Sequence, residues 1–299
     1  MSSWSVVSTV NEEPEVLASF VNHHLNHGCS LIHLYFDNAL DPAKELFDNH
    51  PKVVVEDSVQ GVGSHEKKQS LNATDAYKKC QSHWLAHVDA DEFIYSDVGV
   101  ENTLRNLGDE VMQLNLLPWE GVFATLDDAQ KPFSTELFRG RLRPIKDAIL
   151  LQDQFYPKAG NSMKWGLTGH SAGKSFVRRT TAQMKARIHF WQYKQSEKTI
   201  NSHSADNEIR LLHFDAISFS QWKRKFLKRL NMEVIMKGMD PHRLSQLQAF
   251  EERLRPGAGA SIEELFKTLY VLSPETLRRT ESGKFIKMFK WMQGGPPTL

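Results

Sequence analysis

SVVSTVNEEPEVLASFVNHHLNHGCSLIHLYFDNALD, Ser5 to Asp41, carries the pattern from which the fold is read. Ser5 to Val10 is short and rich in β-branched residues, as strands are. The polar NEEPE follows, with Pro14 where a first helical turn tolerates it. Val16, Leu17, Phe20, Val21 and Leu25 then recur at helical spacing, and Gly28 stands where that helix would close. Leu31 to Phe36 reads as a buried strand.

The alternation continues downstream. Val53 to Val55 is a shorter strand, and Leu71, Ala76, Tyr77 and Cys80 predict a helix leading to the strand Trp84 to Val88. A helix near Val100 to Leu107 precedes the strand Val111 to Leu116. Strands and helices in turn predict an α/β fold with a mostly parallel sheet flanked by helices. Lys174 to Val177 and Ile209 to Phe214 read as further strands, after a loop-rich stretch from 125 to 175. Helical patterns resume at Phe219 to Met236 and Leu244 to Leu254. After RPGAGAS, Arg255 to Ser261, they return near Ile262 to Tyr270 and Pro274 to Trp291.

Composition narrows the function. The chain has 37 basic and 36 acidic residues, a net charge of +1, so bulk positive charge does not hold a nucleic acid. Its 40% hydrophobic and 24% charged residues are those of a folded globular protein. No apolar run reaches the roughly 18 residues of a membrane span. Met1 to Val10 lacks the basic start and apolar stretch of a secretory signal. Cys29 and Cys80 are too few for a disulfide framework, and the expected setting is cytoplasmic.

WLAHVDADEF, Trp84 to Phe93, ends an apolar strand in three carboxylates, Asp89, Asp91 and Glu92. Ligands of open α/β sheets bind beyond the carboxyl ends of the strands. In an extended segment, side chains at i and i+2 point the same way, so Asp89 and Asp91 would converge. Crowded carboxylates repel unless a cation intervenes. Mg²⁺ or Mn²⁺ would relieve that repulsion and hold a substrate diphosphate as well. The bland reading is an acidic turn after a strand. Two other strands also end in polar pairs, Asn11–Glu12 and Asp37–Asn38, at what would be the same sheet edge. A nucleotide base and ribose could take hydrogen bonds there from Asp37 or Asn11.

VNEEPEVLASFVNHHLNHGCSLIHLYFDNALD, together with HVDADEF, resembles the GT-A glycosyltransferases of the family-2-like group. The match is to those related to the family-92 (DUF23-like) enzymes, which typically read KNE…EW…YH…G…YDN.S.D and then D.DEF. The resemblance covers residues 5 to 95; Val10 replaces the usual basic residue and Leu40 the usual Ser. It implies that Asn11 and Glu12 lie in the nucleotide pocket, with Asp37 and Asn38 beside the base or ribose. Asp89 and Asp91 would hold the sugar-nucleotide diphosphate through Mn²⁺ or Mg²⁺. IRLLHFDAISFSQWKRKFLKR resembles the family's later strand ending in HY followed by S…F..K. There it places His213 at the His position, as a further metal ligand, with Phe214 in place of Tyr.

The remaining roles are read from the residues. The basic run after Phe219 offers Lys225 or Arg229 to a leaving diphosphate, and GKSFVRR offers Lys174, Arg178 and Arg179. LLPWEGVF puts Glu120 past a strand and beside Trp119, whose indole could stack on a sugar, making Glu120 the candidate base with Asp91 as the second catalytic carboxylate. Asp127 and Asp128 in the next loop are rival bases, and the competing reading makes Trp119 core and Glu120 a surface turn residue. His23, His24 and His27 lack a companion glutamate in HExxH spacing and read as packing residues.

The expectation is a metal-dependent glycosyltransferase that moves a sugar from a nucleotide-diphosphate sugar to a hydroxyl of a glycan or small molecule. The catalytic domain would span 1–218, its acceptor side about 119–215, with a helical C-terminal extension at 219–299. The alternatives are a catalytically inactive GT-A-like scaffold that binds a glycan or partner, and a nucleotidyl or phosphoryl transfer enzyme.

Overall fold

The computed structural model describes residues 2–195, 200–204, 208–231, 239–280 and 285–291. Two compact units interleave along the chain, residues 2–117 with 172–211 and residues 118–171 with 212–291. The sequence-based split at 218/219 is not the one these contacts draw.

The first unit is a mixed α/β fold. Its strands are β1 (Trp4–Val10), β2 (Leu31–Phe36), β3 (Val53–Asp57), β4 (Trp84–His87), β5 (Glu92–Tyr95) and β6 (Gln113–Leu116). The later return of the chain adds β9 (Lys174–Arg178), β10 (Met184–Ala186), β11 (Trp191–Tyr193) and β12 (Ser202–Ser204). The central sheet has the order β12-β6-β9-β4-β1-β2-β3. Six of its strands are mutually parallel, and β9 alone runs the other way, between β4 and β6. β10 and β11 form a separate antiparallel hairpin.

Helices cover both faces of this sheet. In α1 (Pro14–Asn26), Pro14 opens the first turn and Leu17, Phe20 and Val21 are buried with Trp4, Val6, Ile32 and Leu34. Each such side chain contributes about 1.5–3 kcal/mol by leaving water. Gly28, at φ +88°, ends the helix in a conformation that a Cβ disfavours. Helix α2 (His65–Lys79) starts six residues before the expected Leu71, where the Ser64 hydroxyl accepts the Lys67 N–H as N-cap. Its packed face is Ala73, Ala76 and Tyr77, set against Val7, Tyr35 and Leu85 on the opposite sheet face, whereas Leu71 is exposed. α3 (Val100–Arg105) lies between β5 and β6 in the chain.

In the second unit β7 (Pro118–Gly121), β8 (Leu137–Gly140) and β14 (Ile286–Met288) are antiparallel neighbours. The expected helix from Pro274 to Trp291 is corrected: α8 (Pro274–Thr280) is helical, and Ile286, Lys287 and Met288 pair with β8 instead. Their alternating character suits a strand better than a helix. Helices α4 (Ala148–Phe155), α5 (Phe219–Leu230), α6 (Pro241–Leu254) and α7 (Ile262–Tyr270) complete the unit. Trp222, Phe226, Phe250, Phe266 and Tyr270 form its aromatic core. Part of the helix expected over Phe219–Met236 lies outside the described residues. The strand β13 (Arg210–His213) passes from one unit into the other, its last two residues belonging to the second. Among the described residues, no helix is long and apolar enough to cross a membrane.

Candidate functional site

The carboxyl ends of β1, β2 and β4 meet at one edge of the parallel sheet. Val10 and Phe36 are register partners, and the Asp37 N–H donates to the Val10 carbonyl at 2.9 Å, which sets Asp37 beside Asn11. β4 ends lower, with Val88 N–H bonded to the Val7 carbonyl. Three polar residues of α2 tie these tips together. The Lys68 ammonium pairs with Asp37, Gln69 Nε2 donates to Asp89 Oδ1 at 2.7 Å, and buried Asn72 donates to Thr9 Oγ1 at 2.9 Å and to Ser58 Oγ at 2.8 Å. None of the three stood out in the sequence. The available signal was polar residues on the packed face of an otherwise alanine-lined helix.

The acidic tip departs from expectation in its backbone. Asp89 to Glu92 is a tight turn, with Glu92 N–H bonded to the Asp89 carbonyl at 3.0 Å, and not the extended segment that would aim Asp89 and Asp91 alike. Glu92 Oε2 accepts the Asp89 N–H at 2.8 Å and closes the turn from within. Lys174, expected as a phosphate contact, is fully buried at the start of β9. Its Nζ lies 2.9 Å from Asp89 Oδ2 and 3.7 Å from Glu92 Oε2. Burial alone would lower the Lys174 pKa, but Asp89 and Glu92 outweigh it and raise it. The cation that relieves the carboxylate crowding is thus an internal ammonium. Next to it, burial and the Lys174 charge depress the His87 imidazole to about 4.

Both Asp89 oxygens are engaged, Oδ1 by Gln69 and Oδ2 by Lys174, so a divalent ion at Asp89 and Asp91 would share its carboxylate with the Lys174 charge. Asn38 Oδ1 accepts the Leu40 N–H in a turn, and Glu12 Oε2 accepts the Asn11 N–H. His23 and His24 serve packing: His23 Nε2 bonds the Ile94 carbonyl at 2.8 Å. His24 donates from Nδ1 to the Phe20 carbonyl and accepts the Ile94 N–H at Nε2. That pattern requires neutral His24, whose pKa burial depresses to about 3.

The second unit corrects the role of Glu120. It faces Arg139 directly across the β7–β8 pair, and the guanidinium grips Glu120 Oε2 through Nε at 2.8 Å and Nη2 at 2.5 Å. The backbone N–H groups of Thr168 and Gly169 complete its shell at 3.0 and 2.5 Å. Burial pushes the carboxyl up, yet Arg139, His213 and the Thr168 N–H hold it below its ordinary value. A buried carboxylate so enclosed is a counter-ion rather than a proton acceptor for substrate. Trp119, expected to stack on a sugar, packs edge-on against Phe289 and over Gly140.

Asp215 is the hub of a second buried cluster. Arg243 binds both of its oxygens at 2.6 and 2.7 Å, Tyr270 Oη donates at 2.5 Å, and Lys225 Nζ lies 3.4 Å away. Burial opposes ionisation there, but Arg243 and Lys225 hold the carboxyl well below the usual range. Lys225 is therefore committed to Asp215, and the Arg229 guanidinium sits 5.8 Å from the Phe226 ring. His213 and His170 have ring centroids 5.0 Å apart. Gly169 makes room for the His213 ring, since a Cβ there would come within 2.7 Å of His213 Cε1. Two neighbouring imidazoles do fit a divalent ion, and His170 was not singled out by the sequence.

No family model and no curated protein matches the chain. Solved structures resemble it at low identity. The crystal structure of a mycobacterial protein is 14% identical with a TM-score of 0.35, over 62% of this chain and 57% of that one. The chain thus spans little more than half of that structure. HddC from Yersinia pseudotuberculosis is 11% identical with a TM-score of 0.38, over 76% of this chain and 100% of that one. Glucosyl-3-phosphoglycerate synthase from Mycobacterium tuberculosis, in complex with Mn²⁺, uridine diphosphate and glucosyl-3-phosphoglycerate, is 10% identical with a TM-score of 0.31, over 60% and 57% of the two chains.

Proposed function

We propose that the protein is a glycosyltransferase that takes a sugar from a nucleoside-diphosphate sugar and passes it to a hydroxyl of a glycan or small molecule. The observation that carries this reading is the strand edge of the first unit, where Asn11, Asp37 and Asp89 stand at adjoining strand ends with Lys68 and Gln69 of α2 bound to two of them. Polar groups fixed at such an edge suit a nucleoside and its ribose hydroxyls. Glu12 and Asn38 belong to the same proposed pocket. Asp91, partly exposed at the turn, is the remaining carboxylate for donor or metal.

The metal-dependent part of the reading rests on His170 and His213, whose imidazoles suit Mn²⁺ better than Mg²⁺. A divalent ion held by these imidazoles would supply positive charge at that place in the second unit. The chain's own contribution is to hold the nucleoside at the strand edge and to keep the acidic turn neutralised by Lys174.

Calorimetry with UDP and with GDP, each with and without Mn²⁺, tests the proposal. Binding of one nucleoside diphosphate that tightens with Mn²⁺ is expected. No binding of either, in both conditions, would overturn it.

A further inference from the structure

A cleft of about 1220 Å³ runs along α2 in the first unit, against the β10–β11 hairpin and the turn that precedes it. Its charge is one-sided. Lys67 and Lys78 from α2, Arg179 after β9, and Lys185, Arg187 and Lys194 of the hairpin region line it, with Glu66 as the one acidic lining residue among the described residues. In a chain with nearly equal numbers of acids and bases, this is a local concentration of positive charge. Such a cleft focuses its field on anions.

Between the charges the walls change character. Ser70 and Gln183 offer neutral hydrogen-bonding groups, and the Phe190 ring is 41% exposed. Lys67 and Lys78 lie eleven positions apart on one helix, about 16 Å along its axis. Spaced cations, hydroxyl and amide groups and a single open aromatic face suit a chain of sugars bearing acidic groups. A single-stranded nucleic acid would want a series of stacking platforms, and among the described lining residues one aromatic ring, Phe190, is exposed.

The course of the cleft adds to this. Arg179 follows the end of β9 that pairs with Trp84, where β4 begins. At the other end, His189 bonds the carbonyl of Gly173, the residue before Lys174, at 2.6 Å. Lys67 and Ser70 flank Lys68 and Gln69, which hold Asp37 and Asp89. The cleft therefore leads from the far rim of the sheet to the edge proposed for the donor.

We infer that this cleft binds an anionic oligosaccharide through Lys67, Lys78 and Arg179, with the Phe190 ring against a sugar face. Its service as the acceptor's seat rests on the transferase reading; the binding itself does not.

The test is titration of the full chain with a hexamer of galacturonic acid, neutral maltohexaose, a six-residue oligo-dT and a hexaglutamate peptide. The acidic hexasaccharide should bind at least about tenfold tighter than each of the others and weaken as salt is raised. Lys78→Glu and Arg179→Glu, both at exposed positions, should each weaken it by about tenfold with unfolding midpoints unchanged. Equal binding of the neutral sugar, preference for the peptide or the oligonucleotide, or indifference to both substitutions would overturn the inference. UDP and GDP, each with and without Mn²⁺, titrated into the unsubstituted protein read the transferase proposal separately. Silence of the hexasaccharide where one nucleoside diphosphate binds removes only the cleft, and silence of both nucleoside diphosphates where the hexasaccharide binds removes only the transferase.

Discussion

Lys174 Nζ and Asp89 Oδ2 lie 2.9 Å apart, and the lysine side chain is wholly enclosed by protein. An ammonium in that position depends on Asp89 and Glu92 for its charge, and they depend on it. Replacing Lys174 by Met would strand the buried Glu92 carboxylate and should cost about 3–5 kcal/mol. The double substitution Lys174→Met with Glu92→Gln should recover part of that loss. Urea unfolding of the two variants gives the comparison, and equal destabilisation of both would count against the pairing.

Glu120→Gln should behave as a folding variant. It breaks the charge pair with Arg139 while keeping shape, again at a cost of about 3–5 kcal/mol. If transfer activity is measured on the folded fraction, turnover should persist. Loss of turnover with unchanged stability would restore Glu120 as the base.

Tyr270→Phe removes one donor from Asp215 and leaves Arg243 and Lys225 in place. A hydrogen bond to a charged group is worth about 1.5–3 kcal/mol, and the ring stays packed against Trp222 and Phe266. Chemical denaturation should show a loss in that range without a change in the denaturant slope.

Gly169→Ala should disturb the imidazole pair. The added Cβ would sit 2.7 Å from His213 Cε1 and 2.8 Å from Glu120 Oε1, so one of them must move, at about 1–3 kcal/mol. Mn²⁺ affinity, read by electron paramagnetic resonance, should fall in this variant. Unaltered affinity would mean that the histidines do not hold the ion.

Acid should weaken the fold well before its carboxylates titrate. His24 at about 3 and His87 at about 4 are depressed by burial below the unfolded value of about 6.5, and His23 is also well below it. Below pH 6.5 the unfolded chain binds protons that the folded chain refuses. Stability is thus complete above that pH and is lost as pH falls toward the folded values, by about 1.4 kcal/mol per pH unit for each histidine involved. Urea midpoints at pH 7.5, 6 and 5 give the slope, and a flat series would refute it.

The parallel sheet was legible because its strands and helices follow hydrophobic period, which is local. Leu31 to Phe36 and Ile262 to Tyr270 match the observed elements residue for residue. What the sequence could not show were partners far away along the chain. Asp89 reads as a metal ligand until Lys174 is brought to it, and Glu120 reads as a base until Arg139 and the backbone of Thr168 and Gly169 enclose it. An acidic turn and an extended acidic tip also look alike in sequence, because Asp and Glu suit both. The strand at Ile286 was hidden by aromatic neighbours, Phe285, Phe289 and Trp291, that mimic a helical stripe.

The reversed direction of β9 has a consequence for how the GKSFVRR segment can change. Because it points against its neighbours, its first residue reaches the acidic turn while Arg179, just past its other end, opens onto the far rim of the sheet, about 17 Å away. One short rod therefore serves two destinations at once. Inserting or deleting a single residue within it would misdirect both, so the segment tolerates exchange of side chains far better than any change in length.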